Sequence, residues 1–70
     1  MSEFNTEFPS IRQVQSYIKE KTEVEVKLLT NDLLTGLVAW QDPSCICLRD
    51  SENQMTMVWR QSIVYLKRKG

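Results

Sequence analysis

Residues 24–42, which read VEVKLLTNDLLTGLVAWQD, contain the pattern that decides the fold of this chain. In residues 24–28 an apolar residue at every second position alternates with a charged one, which is typical of a half-buried β-strand. The polar residues 30–32 predict a turn, because Asn and Asp side chains bond readily to nearby backbone groups. Residues 33–41 predict a second strand. The stretch therefore predicts two antiparallel strands joined by a tight turn.

Gly36 lies near the middle of the second predicted strand. A glycine inside a strand favours a bend, a bulge or a close approach of another backbone segment. A long strand that bends at a glycine is the usual way to build a small closed barrel. We therefore expect residues 33–41 to curve strongly around the core.

Three further short strands are predicted towards the C-terminus. They cover residues 45–49, 54–59 and 62–67, separated by segments 42–44, 50–53 and 60–61. The last two strands carry apolar residues on both faces, and one small domain has too little other structure to cover them. We therefore expect these two strands at the edges of the barrel, where a second subunit pairs with them and covers them.

One amphipathic helix is predicted before the strands, at residues 10–21. Apolar residues recur there at three- and four-residue spacing. Ser10 is a preferred N-cap, and with Gln13 three residues later it forms the sequence pattern of a capping box. Residues 1–8 show no period and are expected to form a loose arm. Their polar, acidic start is not expected to be a signal peptide.

The composition limits the possible functions of a chain of 70 residues, which is expected to form one small domain at 1–70. Nine basic and nine acidic side chains cancel, so a histone-like mode of nucleic-acid binding is excluded. The absence of His removes the usual general base and the commonest metal ligand. With no nucleophile–base pair and no set of metal ligands, we expect neither an enzyme nor a cofactor.

Cys45 and Cys47 are expected to be reduced thiols that pack as small hydrophobic side chains. At this spacing in a strand they are poorly aimed for a disulfide, and two ligands do not complete a tetrahedral zinc site. Free cysteines favour a cytoplasmic protein. No apolar run approaches the ~20 residues that span a bilayer, so no membrane partner is expected. Because a core this small is marginal, association with other subunits is expected.

Two stretches carry a resemblance to a known family. Residues 24–42 resemble the Sm1 motif, a strand, a polar turn and a strand with one Gly and a closing Asp. Residues 59–66, WRQSIVYL, resemble the Sm2 motif of two strands and a short turn. With its N-terminal helix, the chain resembles the Hfq family of bacterial Sm-like proteins, in the divergent, short-tailed cyanobacterial form. The likeness covers about 10–67, with Sm1 at about 22–50 and Sm2 at about 54–67.

This resemblance implies a mainly β fold, a five-stranded bent Sm-like (SH3-like) barrel with an N-terminal α-helix. It also implies a ring of six identical copies, joined from the fourth strand of one to the fifth strand of the next. Members of the family act as RNA chaperones that pair small regulatory RNAs with messages. The resemblance thus implies single-stranded RNA as the main partner, and it implies post-transcriptional regulation as the role.

The resemblance also implies an RNA-binding set of five residues. In the family, a Lys-His pair in the Sm2 turn and an aromatic after the Sm1 Asp bind uridine-rich RNA near the pore. Arg60, Gln61 and Ser44 occupy these positions here. Arg60 keeps a cation whose fork fits phosphate, but Ser44 cannot stack a base, a contact worth roughly 1–3 kcal/mol. At the rim, Lys19 and Arg12 stand in for an arginine-rich helix end. We expect weaker RNA binding than in typical members.

The opposite, distal face of the family binds adenine by stacking it on a first-strand Tyr. Lys27 stands there, so uridine-rich RNA is expected in preference to adenine-rich RNA. Either Gln54 or Thr56 takes the polar position of this face, and the sequence leaves both open.

Trp40 and Trp59 are expected in the core or at a subunit interface.

Other interpretations stay open at this point. The ring is alternatively an interaction scaffold that docks a protein partner, with RNA binding secondary. A monomeric SH3-like adaptor is a third possibility, which the apolar last strands disfavour.

Arg60 in a single chain is an ordinary turn cation, whereas copies of it around a pore focus positive potential despite the zero net charge.

Overall fold

The structure, a computed structural model, describes residues 8–70. The predicted arm before residue 8 lies outside the described residues. One helix is followed by five strands, as predicted, and each element end lies within one residue of its expected position. The elements are α1 (Pro9–Glu20), β1 (Glu23–Leu28), β2 (Leu33–Gln41), β3 (Cys45–Arg49), β4 (Met55–Trp59), a 3₁₀ turn (Arg60–Ser62) and β5 (Ile63–Arg68).

The start of α1 differs from the prediction. Phe8 is the N-cap residue, no side chain caps the helix, and Pro9 occupies the first turn. The predicted capping by Ser10 and Gln13 is therefore wrong. Proline suits the first helical position because its φ is preset and its missing N–H is one that the helix leaves unbonded anyway.

Within residues 8–70 no helix has the length and apolar character that crossing a bilayer requires.

The five strands form one antiparallel sheet in the order β4-β3-β2-β1-β5. β1 lies between β2 and β5, so that Val26 pairs with Leu34 on one side and Leu66 on the other. The prediction that β4 and β5 lie at the edges is confirmed. The sheet is bent, but β4 and β5 do not pair with each other within one chain. The barrel of one chain is therefore open, whereas a closed barrel was expected.

The core lies inside the bend and is closed by one face of α1. Val24 and Val26 of β1 are fully buried. The helix contributes Val14, and the remaining core cluster comes from β2, β3 and β4. These other members are Val38, Ile46, Leu48 and Val58.

Gly36 lies where β2 passes closest to the end of β3. A Cβ atom at this position would lie 2.6 Å from the carbonyl oxygen of Arg49. Only a residue without a side chain fits such a contact. Of the three predicted reasons for this glycine, the close approach of another backbone segment is confirmed. A bulge follows between Val38 and Trp40 and adds to the bend.

Many large apolar side chains lie outside the core, and they concentrate on the two edge strands. Their exposed fractions run from 38% to 57% for Met55, Met57, Trp59, Val64 and Tyr65. Trp40 on β2 is 39% exposed. The alternative that placed Trp40 and Trp59 in the core is therefore wrong, whereas their position at a subunit interface stays a prediction.

Candidate nucleic-acid interface

The segment between β2 and β3 is held in a tight turn by Asp42. Its Oδ1 atom accepts the backbone N–H groups of Ser44, at 2.9 Å, and Cys45, at 2.7 Å. Asp side chains commonly fix turns in this way, so the role of Asp42 is structural. The turn presents Ser44 at the surface in one defined position.

The Sm2-like turn lies directly beside this segment. The backbone N–H of Arg60 donates to the carbonyl oxygen of Ser44 at 2.8 Å. Ser44 and Gln61 line one open pocket of about 340 Å³, together with Trp59 and Ser62. The structure therefore brings two of the five predicted residues into one pocket, and it fixes the backbone of a third beside them.

The side chain of Arg60 is half-buried and lies against the body of its own chain. Its Nε–H donates to the carbonyl oxygen of Asp42 at 2.9 Å, and its Nη2 group donates to Oε1 of Gln41. Arg60 lines a groove under α1 and does not line the pocket of Ser44 and Gln61. The predicted phosphate-binding cation is thus held in a defined direction by intrachain hydrogen bonds.

Gln41, at the end of β2, connects Arg60 to the helix. Its Nε2 group donates to Oε1 of Gln15 at 2.7 Å and to the carbonyl oxygen of Ile11 at 3.3 Å. Sequence reasoning missed this residue. A glutamine at the end of a strand has no distinguishing local pattern, and its partners are 19 to 30 residues away along the chain.

The groove between α1 and the sheet has a volume of about 290 Å³ and is mainly apolar. Its lining consists of Ser10, Gln13, Val14, Tyr17, Ile46, Arg60, Ile63 and Leu66. A mainly apolar groove that also contains one cation suits a ligand that combines a flat apolar part with an acceptor group.

The two predicted rim residues lie on α1, apart from the pocket of Ser44 and Gln61. Lys19 is exposed in the last turn of the helix. Arg12 lies two turns earlier, roughly 10 Å away along the axis, where it lines a shallow surface pocket with Pro9, Gln13 and Ser16. They therefore form a separate positive stripe on the helix.

On the outer face of the sheet, Lys27 of β1 lies in register with Leu33 of β2 and Tyr65 of β5. Thr56 lines a shallow pocket with Asp50 and the start of β2. Gln54 precedes β4, and its backbone N–H donates to Oδ1 of Asp50. Which of Gln54 and Thr56 serves a distal RNA surface stays a prediction.

Charges on the outer face of β1 and β5 pair with each other. Glu25 accepts a hydrogen bond from the Tyr65 hydroxyl at 3.0 Å and lies 3.8 Å from Nζ of Lys67. Lys69 pairs with Glu23 at 3.7 Å. The hydrogen bond to Glu25 is the main reason that the pKa of Tyr65 is raised, because it holds the neutral hydroxyl. The C-terminal cations are thus partly offset by strand carboxylates.

Both cysteines are buried free thiols in β3. Burial is the main cause that raises the pKa of Cys45, and the nearby charge of Asp42 adds to it, whereas Arg60 acts in the opposite direction. A raised pKa keeps the thiol neutral and unreactive at neutral pH. Cys45 therefore contributes packing beneath the turn rather than chemistry.

Comparison with known proteins agrees with this arrangement of helix, sheet and turns. A family model described as Hfq related matches residues 8–68 of the chain. The chain belongs to the Hfq-related family. A crystal structure of an Hfq protein from Anabaena sp. is 51% identical to it, with a TM-score of 0.80, and the match covers 87% of this chain and 97% of that one.

A second Hfq structure, described as a pleiotropic translational regulator, shares the fold at much lower identity. Its TM-score is 0.78 at 16% identity, and the match covers 83% of this chain and 95% of that one. No curated protein matches the sequence. The Hfq fold is thus retained across a large change in sequence.

Proposed function

We propose that this Hfq-family chain is an Sm-like RNA-binding protein that acts as a homohexameric ring in the cytoplasm. In this role it is an RNA chaperone in post-transcriptional regulation by small RNAs. Membership of the family supports RNA binding as the general function. The proposal includes no catalytic step, because an RNA chaperone works by display, charge and exchange of bound strands.

The observation that carries the proposal is the junction of the two Sm-like turns. Ser44 and Gln61 share an open pocket, and the backbone hydrogen bond from Arg60 to Ser44 fixes the two turns against each other. Gln61 offers both a donor and an acceptor, which is what the edge of a uracil base requires. Such a pocket can hold one base, and Arg60 in the same turn is a cation available to a neighbouring phosphate from the adjacent groove.

The two sheet edges support a ring. Among the described residues, β4 and β5 each lack a strand partner on one side, and both carry exposed apolar side chains. Pairing β4 of one copy with β5 of the next satisfies the edges of every copy and covers these side chains. In a closed ring each Arg60 is repeated around the centre, so positive potential is focused there despite the zero net charge.

The same residues support weak, uridine-preferring binding. Ser44 has no ring on which a base can stack, and stacking is worth roughly 1–3 kcal/mol per base. Gln61 carries no charge, so Arg60 is the cation that the Sm2-like turn contributes. Lys27 offers no stacking surface for adenine on the opposite face. We therefore expect lower affinity than in family members that retain these aromatic residues.

A second candidate function is a ring that docks a protein partner, with RNA binding secondary. The mainly apolar groove beneath α1 favours it, since Val14, Tyr17 and Leu66 can receive an apolar side chain there. The missing aromatic at Ser44 favours it as well.

Native mass spectrometry with a short uridine-rich RNA tests the two functions. The spectrum is recorded for the wild type, for Arg60→Ala and for Lys27→Ala, which removes the same charge from the opposite face. We expect a hexamer with stoichiometric RNA in the wild type, a loss of about tenfold or more in affinity for Arg60→Ala, and little change for Lys27→Ala.

Each result separates the hypotheses. A hexamer that ignores RNA contradicts the chaperone function and favours the protein scaffold. An equal loss of RNA in both variants means that only general charge attraction operates. A monomer contradicts both ring functions.

A further inference from the structure

We propose that Gln41 is a positioning residue for Arg60, and that α1 sets the direction of the Arg60 guanidinium through Gln15 and Gln41. This inference rests on the proposed RNA-binding function, because positioning has consequences only if Arg60 meets a phosphate or a base. Gln15, Gln41 and Arg60 form a continuous chain of hydrogen bonds from the helix surface to the Sm2-like turn.

The orientation of the Gln41 amide is set by its partners. A glutamine amide carries an oxygen that accepts and an NH₂ group that donates. Both partners on α1, the carbonyl oxygen of Ile11 and Oε1 of Gln15, are acceptors, so they require the NH₂ group on the helix side. Oε1 must then face Arg60. A flipped amide would place oxygen against oxygen and NH₂ against a cation.

Two hydrogen bonds help to orient the guanidinium of Arg60 as a result. The carbonyl oxygen of Asp42 holds Nε, and Gln41 holds Nη2, so the plane of the group is defined. Arginine binds phosphate through parallel N–H groups in that plane. The plane therefore decides the direction from which a phosphate can be bound.

The two hydrogen-bond acceptors of Arg60, on Asp42 and Gln41, respond differently to substitution. Asp42 contributes a backbone oxygen, which a substitution leaves in place, whereas Gln41 contributes a side chain. Without Gln41 the guanidinium loses the side-chain hydrogen bond at Nη2 that helps to set its plane. The backbone bond from Arg60 to Ser44 is unaffected, so the pocket of Ser44 and Gln61 keeps its shape while the cation loses its direction.

A double-mutant cycle tests this inference. RNA affinity is measured with a uridine hexamer for Gln41→Leu, Arg60→Ala and the double variant, all as assembled protein. We expect Gln41→Leu to weaken binding about fivefold in the wild type and less than about twofold when Arg60 is already absent. Gln13→Leu serves as the matched control, because Gln13 lies on the same helix and groove but outside the hydrogen-bond chain.

An NMR measurement without RNA gives a second readout. The Nε–H resonance of Arg60 reports whether the guanidinium is fixed. We expect slow exchange with water in the wild type and in Gln13→Leu. In Gln41→Leu we expect faster exchange and a shifted resonance, and in Gln15→Leu a smaller change in the same direction, because the Ile11 contact remains.

The outcomes separate this inference from the function on which it rests. An equal affinity loss from Gln41→Leu with and without Arg60, or an unchanged Arg60 resonance, overturns the positioning role while RNA binding stands. If no RNA binds, or if Arg60→Ala binds RNA as the wild type does, the proposed site fails and the inference fails with it.

Discussion

β4 has four apolar residues among five and β1 has three among six, yet their surroundings make β1 the better-buried strand. β1 lies between β2 and β5, and its Val24 and Val26 are fully buried. β4 has one neighbour, and Val58 is its only buried residue. The number of neighbouring strands, rather than the residue types, thus decides how much each strand contributes to the core of one chain.

This difference assigns two roles to apolar residues in the molecule. Burying a Val or Met side chain stabilises a protein by roughly 1.5–3 kcal/mol. The valines of β1 gain this stabilisation when one chain folds. The exposed Met57 of β4 and Val64 of β5 gain it only when another surface covers them.

The largest expected effect compares the same change, Val to Ala, at a buried position of β1 and at an exposed position of the adjacent edge strand β5. Val26→Ala removes a fully buried side chain and should lower the free energy of unfolding by about 2–3 kcal/mol. Val64 is 57% exposed in one chain, so Val64→Ala should cost a single chain less than about 0.5 kcal/mol. Urea unfolding at several protein concentrations measures both.

The concentration series separates folding from assembly. We expect Val26→Ala to lower stability at every concentration, and Val64→Ala to act mainly where the protein is assembled. Equal losses of stability for both variants at all concentrations would contradict the view that inner strands stabilise the single chain and edge strands stabilise the assembly.

A smaller effect is expected where β2 passes close to β3. Gly36→Ala places a methyl group against the carbonyl oxygen of Arg49, and the backbone must shift, at a cost of about 1–3 kcal/mol. Gly70→Ala is the control, since within residues 8–70 no atom beyond its chain neighbours lies within 4 Å of that added methyl group. Thermal unfolding of the two variants measures the difference, and similar transitions would show that the close approach is not needed.

The smallest effect concerns the outer face of β1 and β5. The pKa of Tyr65 is raised above its ordinary value of 10.0 by the hydrogen bond to Glu25. A raised pKa in the folded state means that the stabilisation is complete below pH 10 and is lost as the pH rises through the raised value. We therefore expect stability to fall more steeply above pH 10 in the wild type than in Tyr65→Phe.

Urea unfolding at neutral pH and above pH 10 measures this difference. The effect should be small because Tyr65 and its partner lie at the surface. Parallel pH profiles for the two proteins would mean that the Glu25 bond does not contribute to stability.

The sequence by itself determined the helix, the five strands, the turn at Asp42 and the edge positions of β4 and β5. Each of these follows from contacts between near neighbours or from apolar residues that one small chain cannot cover. The Sm-like motifs likewise pointed to Ser44, Arg60 and Gln61, which the fold places at one junction.

Only the tertiary structure decided features that depend on distant segments. The start of α1 depends on Pro9 rather than on the capping pattern of Ser10 and Gln13. The sheet of one chain stays open because β4 and β5 lie at its two opposite edges. The link from α1 to Arg60 joins side chains 26 and 19 residues apart through Gln41. No local pattern encodes such a link, because the helix must first dock on the sheet before these amides can meet.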